Sequence, residues 1–197
     1  FFIVFMPESD KSLPTTSSLF APKRSELVVD LSKDWTVSFD QNASTNRDFE
    51  EGRPKTALFD SLTDWSKSDD AYIRYYSGLA VYEKTFDVDA DLDAAGTYAF
   101  EFDDVQVMAR VELNGVDLGV VWQKPQRVEV PANLIRKRQN ELKITVANLW
   151  CNRLIGDASR PVQERFTRSS NPMWGPGDEQ LLPSGVIGQA ALVQRGL

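Results

Sequence analysis

The sequence predicts an all-β fold in which two antiparallel sheets form a β-sandwich. From Glu26 onward, short apolar segments recur between turn residues at the spacing typical of sandwich strands. No stretch keeps the 3.6-residue repeat of apolar positions that a long amphipathic helix requires. Two antiparallel sheets can bury the inward faces of all these segments against each other.

The clearest strand pattern covers residues 105–113, where apolar and largely polar side chains alternate. One face of this strand is therefore expected to be buried. Asn114 and Gly115 follow directly, and both tolerate the positive φ angles of a two-residue type I′ hairpin. We predict that the chain reverses there and returns as a strand over residues 116–122, which Pro125 ends.

The remaining strands are predicted from the same alternation or from short runs of β-branched and aromatic residues. They are residues 27–31, 35–39, 79–86, 98–102, 127–130, 142–146 and 186–193. Residues 153–180 differ, because they are polar, contain three prolines and alternate little. We expect a long loop there, and loops of that length are usually functional or packed against a neighbour.

The domain is predicted to span residues 26–197, with residues 1–25 outside it. Residues 1–5 are aromatic and β-branched, which is typical of a strand, and we interpret them as the remnant of a preceding domain. The segment that follows is rich in proline, serine and threonine and has the composition of a linker. A length of 197 residues suits one well-packed core and is short for two.

Composition excludes several classes of function. A net charge of -7 and a pI near 4.7 provide no broad positive field for nucleic acids or anionic membranes, and no apolar run approaches the roughly 20 residues that span a bilayer. The absence of histidine removes imidazole acid–base chemistry, Ser-His-Asp and Cys-His systems and histidine-based zinc sites. The single Cys151 has no partner for an intrachain disulfide and is predicted to be a small buried residue.

Several segments together resemble a known family of domains. Residues 111–119 are followed by a tryptophan and then by Asn140-Glu141-Leu142. In order and spacing, this part of the chain resembles the sugar-binding jelly roll of glycoside hydrolase family 2. A closer resemblance, over most of residues 26–195, is to the C-terminal region of glycoside hydrolase family 106, the α-L-rhamnosidases. It is carried by residues 75–78, 82–86, 148–157 and 182–188.

The resemblance implies a galactose-binding-like jelly roll from a larger enzyme that is secreted or periplasmic. Its partner would be the catalytic domain of that enzyme, which would hydrolyse terminal α-L-rhamnosides by inversion with the help of calcium. The catalytic acids would lie outside this chain. The domain itself would then be non-catalytic, with no required cofactor and no nucleic acid or membrane partner.

Two candidate sites are predicted from residue chemistry. Sugar binding typically combines an aromatic platform with directional polar groups. The candidates for carbohydrate contact are Trp122, Lys124, Trp150, Asn152 and Arg153. Burial of Trp150 and an internal pair between Arg153 and Asp157 are the alternatives. Asp103 and Asp104 close one predicted strand, where they serve either as calcium ligands or as turn residues.

Three functions remain open. A module that packs on the catalytic domain predicts an apolar surface patch on the isolated chain. An autonomous carbohydrate-binding module predicts an exposed aromatic platform and affinity in isolation. Direct catalysis requires an accessible pair of carboxylates, roughly 5 to 9.5 Å apart. The candidate carboxylates Glu83, Glu101 and Glu112 are predicted to face solvent from alternating strands, which disfavours catalysis.

Overall fold

Two antiparallel sheets form the domain in the computed structural model, which describes residues 25–39, 55–167, 177 and 180–196. The strands of the described residues are β1 (Ser25–Asp30), β2 (Lys33–Phe39), β3 (Lys55–Ser61), β4 (Leu79–Phe86), β5 (Thr97–Gln106), β6 (Met108–Leu113), β7 (Val116–Val121), β8 (Arg127–Val130), β9 (Asn140–Ala147) and β10 (Gly185–Arg195). One sheet has the order β1-β10-β5-β8, and the other β3-β2-β4-β9-β6-β7. The predicted all-β sandwich is confirmed.

The helical segments among the described residues are short. They are α1 (Ala71–Arg74), α2 (Cys151–Ala158) and the 3₁₀ turns η1 (Trp65–Lys67), η2 (Ala132–Leu134) and η3 (Val162–Glu164). The prediction of a loop over residues 153–180 is wrong at its start, because α2 occupies residues 151–158. The sequence of α2 has apolar residues at 151, 154, 155 and 158, which is the spacing of a helix, but the repeat covers only eight residues and was not recognised. Residues 168–176 and 178–179 of the predicted loop lie outside the described residues.

The strand predicted over residues 105–113 is two strands. Strand β5 ends at Gln106 in the four-stranded sheet, and β6 begins at Met108 in the six-stranded sheet. Val105 and Ala109 are both buried, since both sheets face the same interior. The alternation therefore continues across the change of sheet, which the pattern cannot reveal. Strand β3 lacks a clear alternation, carries the exposed Leu58 and was not predicted.

The predicted hairpin at Asn114 and Gly115 is confirmed. Leu113 pairs with Val116, and the two turn residues have φ angles of 51° and 81°. The Asn114 amide also donates to the carbonyl of Leu134 and accepts from the backbone N–H of Glu141. The turn is therefore joined to the neighbouring connections as well as to its own strands.

The core between the sheets is rich in aromatic rings. Trp35 and Trp65 are buried, and the Trp65 indole donates to the Tyr82 hydroxyl at 2.5 Å. Phe39 meets Trp65 and Tyr76 edge-on at centroid distances of 5.2 and 5.0 Å, a favourable arrangement for aromatic pairs. This cluster anchors η1 and α1 to the six-stranded sheet.

The described part of the chain begins close to the predicted domain boundary. Strand β1 starts at Ser25, one residue before the predicted start, and pairs with β10. The predicted strand remnant and linker before it lie outside the described residues. Among the described helices, none has the length and apolar character needed to cross a membrane.

Candidate functional site

Helix α2 packs closely against the segment that follows α1. A Cβ atom added at Gly156 would lie 2.6 Å from Cγ of Tyr75, far inside normal contact distance. Glycine therefore permits this close approach. At the other end of the helix, the backbone N–H of Arg153 donates to the Ser77 hydroxyl at 3.1 Å. These contacts seat α2 on the connection between α1 and β4.

Two asparagines join α2 to the segment that leads into β10. Asn148 accepts from the N–H of Gly78 at 2.9 Å and donates to the carbonyl of Tyr76 at 2.8 Å and to the Ser184 hydroxyl at 3.0 Å. Asn152 bonds with both backbone groups of Leu182. These bonds bring together residues 76–78, 148–152 and 182–184, which carry much of the resemblance noted in the sequence.

Asn152 is buried and its amide is fully engaged. Its oxygen accepts from the N–H of Leu182, and its Nδ2 donates to the Leu182 carbonyl and the Ser184 hydroxyl. A buried amide with these partners positions the backbone and does not face a ligand. Asn152 was predicted to contact carbohydrate, but its amide groups are used in these intramolecular hydrogen bonds.

Arg153 is buried, with 5% of its surface exposed. Its guanidinium carbon lies 4.3 Å from the ring centroid of Phe166 and 5.8 Å from that of Tyr72. Burial lowers the pKa of the Arg153 guanidinium, while Tyr72 and Asp157 act in the opposite direction. Among the described residues, none forms an ion pair with this guanidinium or accepts a hydrogen bond from it.

Asp157 does not form the predicted internal pair with Arg153. Its carboxylate accepts from the backbone N–H groups of Phe166 and Thr167, at 3.1 and 2.7 Å, and from the Thr167 hydroxyl at 2.6 Å. Asp157 thus stabilises the segment after η3, and that segment supplies the ring over which Arg153 lies. The alternative prediction of an Arg153–Asp157 pair is wrong, because the hydrogen-bond partners of Asp157 come from residues 166–167.

Trp150 occupies the N-cap position of α2, and 51% of its surface is exposed. It lies three residues before Arg153, and residues three apart are neighbours on a helix surface. The alternative prediction that Trp150 is buried is wrong, because about half of its surface is exposed. The structure places an accessible indole at the N-terminus of α2, about one helical turn before the buried cation.

Trp122 and Lys124 lie elsewhere, just after β7, and both are exposed. Val121 of β7 pairs with Ala109 of β6, so Trp122 follows beside Met108. Met108 pairs with Ala147 of β9, which pairs with Leu79 of β4. Trp122 and Trp150 are thus at the same end of the six-stranded sheet, since Trp150 follows the end of β9.

An apolar patch covers this end of the outer face of the six-stranded sheet. Paired residues share a face, and the next residues along these strands, such as Ala80 and Ala109, are buried. Four large side chains with 45% or more of their surface exposed lie on the opposite, outer face: Leu79, Met108, Val120 and Trp122. We call these four residues the outer-face patch. All four are apolar residues near a strand end, and of these only Trp122 was predicted as a site residue.

The same outer face becomes charged away from the patch. Lys143 pairs across the sheet with both Glu83 and Glu112, and its amine lies 3.3 Å from a Glu112 carboxylate oxygen. Glu101 is in the other sheet and accepts from the Ser25 hydroxyl. Glu83, Glu101 and Glu112 are at outward positions of their strands, as predicted. Lys143 lies between Glu83 and Glu112.

Asp103 and Asp104 do not converge on a common point. As neighbours on β5, they project to opposite faces of the strand. Asp103 accepts from the N–H of Gln189, whereas Asp104 accepts from the side chain of Gln106. In the part of the chain that the structure describes, no three or more acidic or cysteine side chains group together as a metal site would require. Calcium binding stays a prediction.

The fold and these joined segments define a domain of the type found in glycoside hydrolases. Residues 35–176 match the family described as glycosyl hydrolase 2 galactose-binding domain-like. The chain belongs to this family, and the galactose-binding-like domain predicted from the sequence is confirmed.

Known relatives are much longer than this chain. The Formosa agariphila protein named "Putative beta-glucuronidase" is 34% identical over 165 residues, which are 71% of this chain and 14% of that protein. The structure of a rhamnosidase from Novosphingobium sp. PP1Y matches with a TM-score of 0.74 and 31% identity over 89% of this chain and 16% of its own. A β-glucuronidase from Ruminococcus gnavus shares the fold, with a TM-score of 0.59 and 15% identity over 89% of this chain and 31% of its own.

Proposed function

We propose that this domain is a non-catalytic accessory module of a secreted or periplasmic glycoside hydrolase, and that its outer-face patch packs on the catalytic domain. The observation that carries the proposal is the patch itself, in which four large apolar side chains share one end of a sheet face. Monomeric soluble proteins rarely leave large contiguous apolar areas in water, so such an area favours a partner. The partner's approximate size is indicated by the relatives, of which this chain spans 14% and 16%.

The charge pattern supports docking by this end of the sheet. The middle of the same face carries Lys143 between two glutamates, and such charged positions normally face water. An interface would therefore be centred on the apolar end and bounded by the charged middle. Interfaces commonly have an apolar centre and a polar rim, which fits this arrangement.

For the parent enzyme, we propose hydrolysis of α-L-rhamnosides. The support is the 31% identity and the TM-score of 0.74 with the Novosphingobium rhamnosidase. The Formosa relative carries a different activity in its name, so β-glucuronide hydrolysis is the competing proposal. Assays of the full-length parent with aryl α-L-rhamnoside and aryl β-D-glucuronide, each with calcium and with chelator, distinguish them. Turnover of the glucuronide and not the rhamnoside would reject the rhamnosidase proposal.

The docking proposal is tested by producing this domain and the remainder of the parent enzyme as separate chains. We expect them to associate, and we expect the double substitution Met108→Ser and Trp122→Ser to weaken association at least about tenfold. Leu58→Ser is the matched control, because Leu58 is also highly exposed but lies on β3, away from the patch. Equal association of the patch variant and the wild type, measured by calorimetry, would reject docking through this face.

A further inference from the structure

Arg153 is a buried charge that forms no ion pair with the described residues, and the Asp157 carboxylate acts on it only at longer range. Removing a charged group from water is unfavourable unless the charge is paired or hydrogen-bonded. Its contacts with the Phe166 and Tyr72 rings offset part of that cost through cation–π attraction. The nearest acid on its own helix, Asp157, is engaged by Phe166 and Thr167.

A second cation strengthens the local positive charge. The guanidinium carbon of Arg160 lies 4.8 Å from the centroid of the same Phe166 ring. Arg160 is among the groups that act to lower the pKa of Arg153, as expected for like charges. An otherwise acidic chain thus gathers two guanidinium groups around the Phe166 ring, and Trp150 lies three residues before one of them in the sequence.

We propose that Trp150 and Arg153 form a subsite for a hexuronic acid residue of a glycan, in which Arg153 receives the carboxylate and Trp150 packs against the sugar ring. A guanidinium binds a planar carboxylate through two parallel hydrogen bonds. The C–H face of a pyranose packs well on an aromatic ring, and the indole of Trp150 is accessible for this. Since only 5% of Arg153 is exposed, contact with it is restricted to a small group such as a carboxylate and excludes a whole sugar ring.

The subsite goes beyond the docking role and shares no residue with the outer-face patch. Loss of uronate binding would leave association with the catalytic domain unchanged, and loss of docking would leave uronate binding unchanged. The two proposals therefore fail separately. A neutral sugar would leave the guanidinium without its anion, so the site is expected to discriminate by charge.

Calorimetric titration of the folded domain with D-glucuronate and D-galacturonate tests the subsite, with D-glucose, D-galactose and acetate as comparisons. We expect saturable heat with at least one uronate and at least about tenfold weaker binding of the neutral sugars and of acetate. Absence of saturable uronate binding, or equal binding of the matching neutral sugar, would overturn the proposal. Acetate binding as tightly as the uronate would also overturn it, since a sugar ring would then contribute nothing.

Variants assign the binding to these two residues. Trp150→Ala changes an exposed side chain and is expected to weaken uronate binding at least about tenfold, whereas Trp122→Ala, a similarly exposed tryptophan beside β6, is expected to leave it unchanged. Arg153→Lys is expected to retain weaker uronate binding and Arg153→Met to abolish it, in samples with wild-type circular dichroism. Equal effects of Trp150→Ala and Trp122→Ala, or full binding by a folded Arg153→Met domain, would reject the assignment.

Discussion

The side-chain amide of Asn152 and the backbone of Leu182 exchange two hydrogen bonds, one in each direction and each 2.8 Å long. The pair is separated by 30 residues of sequence and joins α2 to the segment that enters β10. The arrangement is the side-chain equivalent of a strand pair, because donor and acceptor are both satisfied. It holds Trp150 and Arg153 at a defined position relative to the sandwich.

Replacing Asn152 with leucine is therefore expected to destabilise the domain. The substitution removes the hydrogen bonds of Asn152 with the backbone of Leu182 and with the buried Ser184 hydroxyl, and each such bond typically contributes about 0.5 to 1.5 kcal/mol. Urea unfolding followed by circular dichroism measures the change. Asn133→Ala is the control, since Asn133 is exposed in η2 and is expected to change stability by less than about 0.5 kcal/mol. A similar free energy of unfolding for both variants would contradict this role of Asn152.

Gly156→Ala is expected to destabilise the domain by about 1 to 3 kcal/mol, because the new Cβ would lie 2.6 Å from Cγ of Tyr75. The sign is informative. In an unobstructed helix, the same substitution stabilises by about 1 kcal/mol. Thermal and urea unfolding measure the effect, with Ser159→Ala at the exposed end of α2 as the neutral control. A more stable Gly156→Ala domain would show that α2 and Tyr75 are not in close contact.

Tyr82→Phe is expected to cost about 1 to 3 kcal/mol, because the buried indole N–H of Trp65 loses its acceptor. The variant should also change the pH dependence of stability. Burial raises the pKa of Tyr82 above its ordinary value of 10.0, so the folded state holds the hydroxyl proton more tightly than the unfolded state. This stabilisation is complete below about pH 10 and is lost as the pH rises further.

The difference in unfolding free energy between wild type and Tyr82→Phe should therefore shrink in alkaline solution. Urea unfolding at a series of pH values above and below 10 measures the difference. Ultraviolet absorbance of phenolate provides an independent readout, because Tyr82 should ionise only after the exposed tyrosines. A constant difference across the whole range would contradict the raised pKa.

Gly115→Ala is expected to cost about 1 kcal/mol, because a Cβ is disfavoured at a φ of 81°. No atom lies within 4 Å of the added Cβ, so the loss would come from the backbone conformation and not from a clash. Gly115→Asn is the matched variant, since asparagine tolerates positive φ and should lose less. Unfolding in urea compares the two. Equal losses of unfolding free energy in the two variants would mean that the positive φ of residue 115 does not cause the destabilisation.

The hairpin and the strands show how much of the fold can be read from the sequence. The reversal at Asn114 and Gly115 was predicted correctly because positive φ is a property of those two residues themselves. Strands β4 and β8 were predicted with their observed bounds. By contrast, α2 was missed because its apolar repeat at residues 151, 154, 155 and 158 is only eight residues long. The burial of the polar residues Asn152, Arg153 and Asp157 could not be predicted, since it depends on partners far away in the sequence.

The candidate site was predicted less completely than the fold. Trp122 and Trp150 were both predicted as candidates for carbohydrate contact, and both side chains are exposed. Burial of Trp150 remained an alternative, because a tryptophan at a strand end is equally compatible with burial. Asp157 was given as an alternative internal partner of Arg153, yet it accepts hydrogen bonds from Phe166 and Thr167. Helix spacing states which side chains can meet, but a better donor from another segment decides which do.

The sequence by itself determined the alternation that builds a sandwich, the position of its hairpin and the absence of imidazole chemistry, because each of these is a property of single residues or near neighbours. Only the tertiary structure decided that residues 105–113 divide between two sheets, that Leu79, Met108 and Trp122 share one outer face, and that Arg153 is buried without an ion pair among the described residues. These features depend on strand pairing and burial across the whole domain. A period of two residues states which side of a strand is inward, but it does not state which strand lies beside it.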